Sequence, residues 1–539
     1  MRFAHRRSSH VAALFIATIL LIIVGTGCTG TPRVVPLQQQ KPIDRSLVEI
    51  PAGMALFLEV DGLTTPTSVC FDNEEGDHKG TVLIAEGGVG GTAVRILGLK
   101  PDRTISQIYP RGQSIALPFL QRGFRMYGPI GGMCVVGGRI IVSHRDADGM
   151  GVVTSFGYDG SHKTVIADLP AQGNYSVTDV ALNPVNGRLY FGVGAATNSG
   201  VVGLDNWQAG WVRDHPLFHD TTYVALKLLG YRFDTKNPRA GLFGGADIAV
   251  TAPFQAFNSS TQTRILPALN GKPSAAIYSI SPSGGDLRVE AHGVRLPRGL
   301  VFNEYGGLFF TNNGMEMRGT RPVKDDPDTL MRLAPGTPWY GWPDFSADLR
   351  PISESQFQPP MDLVIKTGYP ELAALLDHKE SKLDPPDIIQ KQLLYCIFES
   401  QSGAAKLDIV PGVGPFKNMR GDWIVALSGD RSPFATSGQK LIGPMGYKIE
   451  RVDVDKKQRS EFIRNTSGKP ASWTGRGGVA LERPCDVKFA ADGTLYILDM
   501  GEMRVENGKE KVKAGSGRLF KLVPEEAATT RPTTQPTTR

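Results

Sequence analysis

Polar residues able to do chemistry stand at matching places along this chain. Glu86, His144, Asn198, Asn313, Ser428 and Asp499 follow short apolar runs, while Tyr175, Arg295 and Arg483 precede them. A carboxylate or an imidazole moves protons, an amide orients hydroxyls, and a guanidinium offers a fork of donors that fits acids. Gathered in one place, this set would make a small-molecule site. His144 is the histidine among these exits and is a candidate base, with a structural imidazole as the alternative. Arg295 and Arg483 are candidates for holding anionic groups, or for pairing with mouth carboxylates such as Glu316 and Asp499.

What must position them is a repeated hairpin. In PRGLVFNEYGGLFFTNNG the apolar runs Gly299–Phe302 and Leu308–Thr311 flank a Gly-containing turn, which reads as a β-hairpin. The phrase recurs at Pro66–Glu86, Pro129–His144, Ser176–Gly194, Lys406–Gly429 and Arg483–Gly501. Six copies of one sheet-forming unit predict an all-β, six-bladed β-propeller. An antiparallel hairpin returns its exit to the end where it entered, so the polar entries and exits should ring one face.

Composition agrees with such a fold. The chain is 41% hydrophobic and carries 63 Gly and 38 Pro, which suits a loop-rich β protein with a sizeable core. Its net charge of +6 comes without a basic run interleaved with aromatics, so nucleic acid is not an expected partner. Beyond Cys28, cysteines 70, 134, 396 and 485 lack metal-ligand spacing and read as small core residues. Two insertions interrupt the blades. Gly200–Val289 holds Trp207, Trp211 and loop histidines 215 and 219; Pro351–Gln401 holds Pro370–Ser381, whose Leu372, Leu375 and Leu376 predict a short helical decoration. Asp325, Asp326 and Asp328 read as a solvated turn, with bonding of loop backbone as the alternative for Asp328.

The ends carry different signals. Residues 1–28 have a basic start, an apolar core at Val11–Val24 and a small-residue approach to Cys28. They read as an export signal of lipoprotein type, with Cys28 the lipidated residue and that lipid the sole membrane attachment. Residues 29–46 read as a linker, 47–524 as the propeller and 525–539 as a disordered Thr/Pro-rich tail.

The segment PRGLVFNEYGGLFFTNNG, followed by WYGWPDFS, resembles the sorbosone and soluble glucose dehydrogenase family. GVGAATNSGVVGLDN, SGGDLRVEAHGVR and RPCDVKFAADGTLYILDMG resemble its sorbosone-dehydrogenase-like branch, and the likeness runs from about Ala55 to Leu522. The resemblance implies a six-bladed propeller that uses pyrroloquinoline quinone (PQQ) with Ca²⁺. It implies oxidation of a carbohydrate, a sugar or sugar aldehyde, by hydride transfer to PQQ, then electron delivery to an external acceptor. The family's base, a His, falls at Tyr175 here. Its Arg-Asn pair falls at Arg295-Leu296, and its Arg-x-Arg pair at Arg483-Pro484-Cys485. The metal-holding carbonyls fall at Gly314 and Met315, and the cofactor lysine of the fifth copy falls at Ser428-Gly429-Asp430. Asn198 and Asn313 complete the expected cofactor contacts.

The expectation is therefore an exported, lipid-anchored, Ca²⁺- and PQQ-dependent sugar dehydrogenase. Two alternatives are a non-catalytic carbohydrate- or protein-binding propeller and a Ca²⁺-dependent lactonase-like hydrolase. An arginine-lined slot favours the first reading, an aromatic shelf the second, and carboxylates converging on an axial ion the third.

Overall fold

Each of the six hairpin phrases forms the two inner strands of a four-stranded antiparallel blade. The computed structural model describes residues 34–36, 42–111, 124–230, 232–238, 240, 246–259, 265–268, 271–359, 372–386, 391–430, 444–474, 479–506 and 509–526. From the inside outward, blade 1 is Pro66–Asp72, Thr81–Gly87, Val94–Leu99 and Ile105–Tyr109. Blade 2 is Tyr127–Val136, Arg139–Arg145, Gly151–Phe156 and His162–Leu169. Blade 3 is Val177–Leu182, Leu189–Val193, Ala276–Ile280 and Arg288–His292. Blade 4 is Pro297–Phe302, Leu308–Asn312, Pro327–Arg332 and Leu394–Ser400. Blade 5 is Ala404–Ile409, Trp423–Leu427, Lys448–Val452 and Arg459–Asn465. Blade 6 is Pro484–Phe489, Leu495–Asp499, Gly517–Pro524 and, from the other end of the chain, Met54–Leu63.

That last strand closes the ring. Leu56 pairs with Leu522 and Leu58 with Phe520, so the edge of blade 6 is covered by the beginning of the domain. Val35–Pro36, inside the segment read as a linker, pairs in turn with Val60 and Asp61.

The period-2 geometry of a strand explains why the second strand of blade 5 is apolar throughout. Trp423–Leu427 is buried along its whole length. Ile424 and Ala426 pack with Val487 and Ile497 of blade 6, whereas Trp423, Val425 and Leu427 pack with Val301, Phe309 and Leu330 of blade 4. Both faces of the sheet are interior, so alternation sorts residues between two neighbours rather than between core and water.

The six innermost strands pack against one another in a closed ring. Side chains on them join blade to blade. Asp179 accepts from the Leu300 amide at 3.1 Å, Asp408 from Phe489 at 2.8 Å and Asp486 from Val69 at 2.8 Å. Buried carboxylates need counter-charges. Lys406 supplies one, with its Nζ 3.1 Å from Asp179, 3.5 Å from Asp486 and 2.8 Å from the Ser68 hydroxyl.

Two local expectations are corrected. Leu372, Leu375 and Leu376 form no helix; they are buried with Trp339, Trp342 and Phe357. The Leu375 and Leu376 amides donate to the Asp344 carboxylate at 2.8 and 3.0 Å, which withdraws the N–H groups a helix would bond four residues back. Asp326 and Asp328 are buried rather than solvated, and Asp328 accepts from the Gly314 and Ala404 amides. Cys485 lies within the innermost strand of blade 6, and Cys70, Cys134, Cys396 and Cys485 are free thiols. The lipoprotein-like segment through Cys28 and the Thr/Pro-rich stretch 527–539 lie outside the described residues.

Candidate functional site

The entries of the innermost strands and the exits of the second strands open on one face, around a cavity of about 800 Å³. That volume suits a cofactor-sized ligand. Its lining is cationic. Arg145, Arg298, Arg318, Lys406, Arg483 and Lys509 face Glu316, Asp328 and Glu510. Tyr175, Asn313, Gly314 and Arg483 reach the cavity as expected from sequence, while Arg295, Asn198, Met315 and His144 lie behind its wall.

Tyr175 is the centre of the polar machinery. Its hydroxyl donates to Glu316 Oε1 at 2.9 Å and accepts from Arg295 Nη2 at 2.8 Å, with Arg318 Nη2 at 3.4 Å. Glu316 also accepts from Arg318 Nε at 2.6 Å, and Arg318 Nη1 reaches Asp205 at 2.6 Å. Burial works against the charge of Arg318, but Glu316, Tyr175 and Asp205 outweigh it and hold the guanidinium well above its usual value. The loop carrying Glu316 is folded by Asn198. Its amide donates to the Glu316 and Arg318 carbonyls at 2.7 and 3.1 Å, and its Oδ1 accepts from the Glu316 amide at 2.8 Å. Asn198 thus shapes the site from below.

Arg295 is fully engaged. Nε donates to the Asn198 carbonyl at 2.9 Å, and Nη1 to the carbonyls of Gly314 at 2.6 Å and Asn313 at 3.3 Å. Nη2 serves Tyr175, Asn198 Oδ1 at 2.9 Å and Glu316 at 3.4 Å. A guanidinium has five N–H donors, and none is left for a ligand. This corrects two expectations together. Arg295 holds the protein's own oxygens rather than an anionic cofactor. The Gly314 carbonyl, expected to hold Ca²⁺ with Met315, is already taken by a cation, so the residues there do not fit a metal. Among the described residues no cluster of His, Cys, Asp or Glu forms another metal site.

Arg483 repeats the arrangement two blades further round the ring. Its Nη1 donates to the carbonyls of Ser428 and Asp430 at 3.1 and 2.9 Å, and its guanidinium carbon lies 5.0 Å over the Tyr447 ring. Arg295 lies 5.0 Å over Tyr175 in the same way. Gly429, with φ +83°, admits Tyr447; a Cβ there would lie 2.2 Å from the ring. Unlike Arg295, Arg483 lines the cavity. Asp499 takes the Arg483 main-chain amide at 3.0 Å rather than the guanidinium.

His144 is placed away from the mouth. It is buried, with Nδ1 2.7 Å from the Arg145 carbonyl and Nε2 2.8 Å from Thr154 Oγ1, and burial lowers its pKa. Alternation along Arg139–Arg145 sends His144 with Val142 toward blade 1 and Arg145 with Ser143 toward blade 3. Arg145, which the sequence reading passed over, is the residue of this exit that reaches the cavity. Lys406 was also missed. The fifth copy's exit, Ser428-Gly429-Asp430, carries no lysine, but the innermost strand of that blade delivers one to the cavity floor. Burial disfavours its charge, and Asp179 and Asp486 outweigh that.

No protein-family model matches this chain, and no curated protein matches it. Among solved structures, the holo PQQ domain of a pyranose dehydrogenase from Coprinopsis cinerea is similar at 14% identity and TM-score 0.49, over 89% of this chain and 98% of that one. A calcium structure of a Trichoderma reesei protein of carbohydrate-active enzyme family AA12 is similar at 14% identity and TM-score 0.48, over 90% and 99% of the two chains.

Chemically, the mouth combines a cation-rich wall for an acidic, flat ligand with a phenol–carboxylate pair held between two guanidiniums. The donor set fits the acidic groups of PQQ; the carbonyl set at Gly314 does not fit Ca²⁺.

Proposed function

We propose that this protein is a sugar or sugar-aldehyde dehydrogenase that works with PQQ bound in the propeller mouth. The observation that carries the reading is the cation-lined cavity closed on one side by Tyr175 and Glu316. Arg298 and Arg483 would hold the carboxylates of the cofactor, since guanidinium groups suit such oxygens. When bound, the quinone supplies a hydride acceptor for the substrate carbon.

The chain's own residues supply the proton path. Tyr175 Oη takes the proton of the substrate hydroxyl and passes its own to Glu316 Oε1, along the 2.9 Å bond already in place. Arg295 and Arg318 flank that oxygen and offset the negative charge it carries in transit. Electrons then pass to an external acceptor. The export-type start through Cys28 supports a place in the cell envelope, with the lipid as the membrane attachment. Dye reduction on a panel of aldoses and sugar aldehydes, with PQQ supplied, tests the reading. Turnover lost in Glu316→Gln supports it, and absence of turnover on every sugar overturns it.

A further inference from the structure

One sector of the mouth, between blades 2 and 3, holds polar groups that nothing among the described residues satisfies. Arg145 enters the cavity with a single hydrogen bond, from Nη2 to the Gly173 carbonyl at 3.0 Å. Its Nε is buried without a partner. Among the described residues no carboxylate lies within ion-pair distance of it, in contrast to Arg318 and Lys406. Burial alone lowers Arg145 to about 10. A buried guanidinium without a counter-ion is costly, and proteins ordinarily avoid it.

The residue after Gly173 adds a second orphan donor, and its orientation is fixed by its neighbours. Gly203 N donates to Asn206 Oδ1 at 2.8 Å, which turns Asn206 Nδ2 toward Asn174 Oδ1 at 3.2 Å. The Trp211 indole N–H donates to the same oxygen at 2.9 Å. Asn174 therefore must present Nδ2 elsewhere, and that nitrogen is buried without a partner. Ser176 Oγ, also on the cavity wall, is a third buried polar atom without one. Three lining residues with unsatisfied groups, all able to donate, describe a site for an acceptor that the described residues do not provide.

From this geometry we infer that Arg145, Asn174 and Ser176 form a carboxylate-binding subsite, and that the carbohydrate taken by the mouth is a sugar acid. A planar carboxylate matches a guanidinium edge together with an amide N–H, which neutral sugar hydroxyls do only weakly. The inference rests on the dehydrogenase reading for its substrate role, but the subsite itself does not. The carboxylate could belong to the sugar or to the cofactor, and the experiment separates these.

Cofactor-free protein is titrated calorimetrically with D-glucuronate, D-glucose and PQQ, for the wild type, Arg145→Gln and Asn174→Ala, with melting temperatures recorded throughout. The expected result is glucuronate binding at least tenfold tighter than glucose. That preference disappears in Arg145→Gln and falls severalfold in Asn174→Ala. Arg145→Gln should melt no lower than wild type, because it removes a half-buried charge that has no counter-ion among the described residues. If only PQQ binding weakens in both variants, the carboxylate is the cofactor's, which upholds the subsite and overturns the sugar-acid assignment. If neither ligand responds in either folded variant, the subsite is overturned. Glucuronate binding without any PQQ binding would keep the subsite and reject the dehydrogenase.

Discussion

Arg295 Nη1 donates to the Gly314 carbonyl at 2.6 Å, so a guanidinium occupies the place where the sequence resemblance puts a metal. The same side chain bonds oxygens of Asn198 and Asn313 and so ties blade 3 to blade 4 beneath the mouth. A charge-assisted hydrogen bond network of this kind is shorter and stronger than one between neutral groups.

Removing it should therefore be costly. Arg295→Ala leaves several buried acceptors unpaired, each worth about 1–3 kcal/mol, and should lower the urea midpoint by an amount equivalent to at least about 3 kcal/mol. Wild type should melt at the same temperature with excess Ca²⁺ and with a chelator. A chelator-induced drop would mean that a metal holds the mouth after all.

Tyr175 and Glu316 are predicted to act as one unit. Tyr175→Phe and Glu316→Gln should each lower kcat by about 10²- to 10⁴-fold, the usual worth of positioned acid–base catalysis. The double variant should be little worse than either alone. Additive losses would show that the two groups act separately.

The propeller arrangement was legible because its unit is local. A strand, a Gly-containing turn and a second strand announce themselves within about twenty residues, as Arg483–Gly501 does, without knowledge of the partner blade. The closing strand Met54–Leu63 was not legible in this way, since its partner Gly517–Pro524 lies at the far end of the chain. Depth was equally hidden. Arg295 and Arg483 both stand at blade entries, yet one is sealed under Tyr175 and the other lines the cavity. The choice between His144 and Arg145 turned on strand parity, which Ser143 facing Thr178 decides in the fold. The leucines at 372, 375 and 376 had helical spacing, but a single buried carboxylate, Asp344, bound the Leu375 and Leu376 amides first.

The axis offers a second stability test. Lys406 stands between Asp179 and Asp486, and Lys406→Met would leave two buried carboxylates without their shared cation. Breaking a buried pair costs on the order of 3–5 kcal/mol. Adding Asp486→Asn should restore part of the loss in urea denaturation; no restoration would mean that packing, not charge, is at stake.

The pH dependence follows from His292, whose imidazole burial holds down to about 4, against roughly 6.5 in an unfolded chain. The unfolded state binds the proton first as pH falls. His292 therefore contributes its full stability above about 6.5, and that contribution declines toward pH 4. Asp326, pushed up to about 8 by burial, works in the opposite sense, because its folded form takes the proton first. The difference between wild type and His292→Phe isolates the histidine. Wild type should lose ground to the variant between about pH 6.5 and 4, and parallel stability curves would contradict this.

The most direct measurement is an equilibrium titration of the purified protein with PQQ in the presence of a chelator, followed by cofactor absorbance. Saturable binding is expected that does not need Ca²⁺ and that weakens when Arg483 is replaced by Gln. Failure to bind PQQ, with or without Ca²⁺, would contradict the assignment of the cationic mouth to this cofactor.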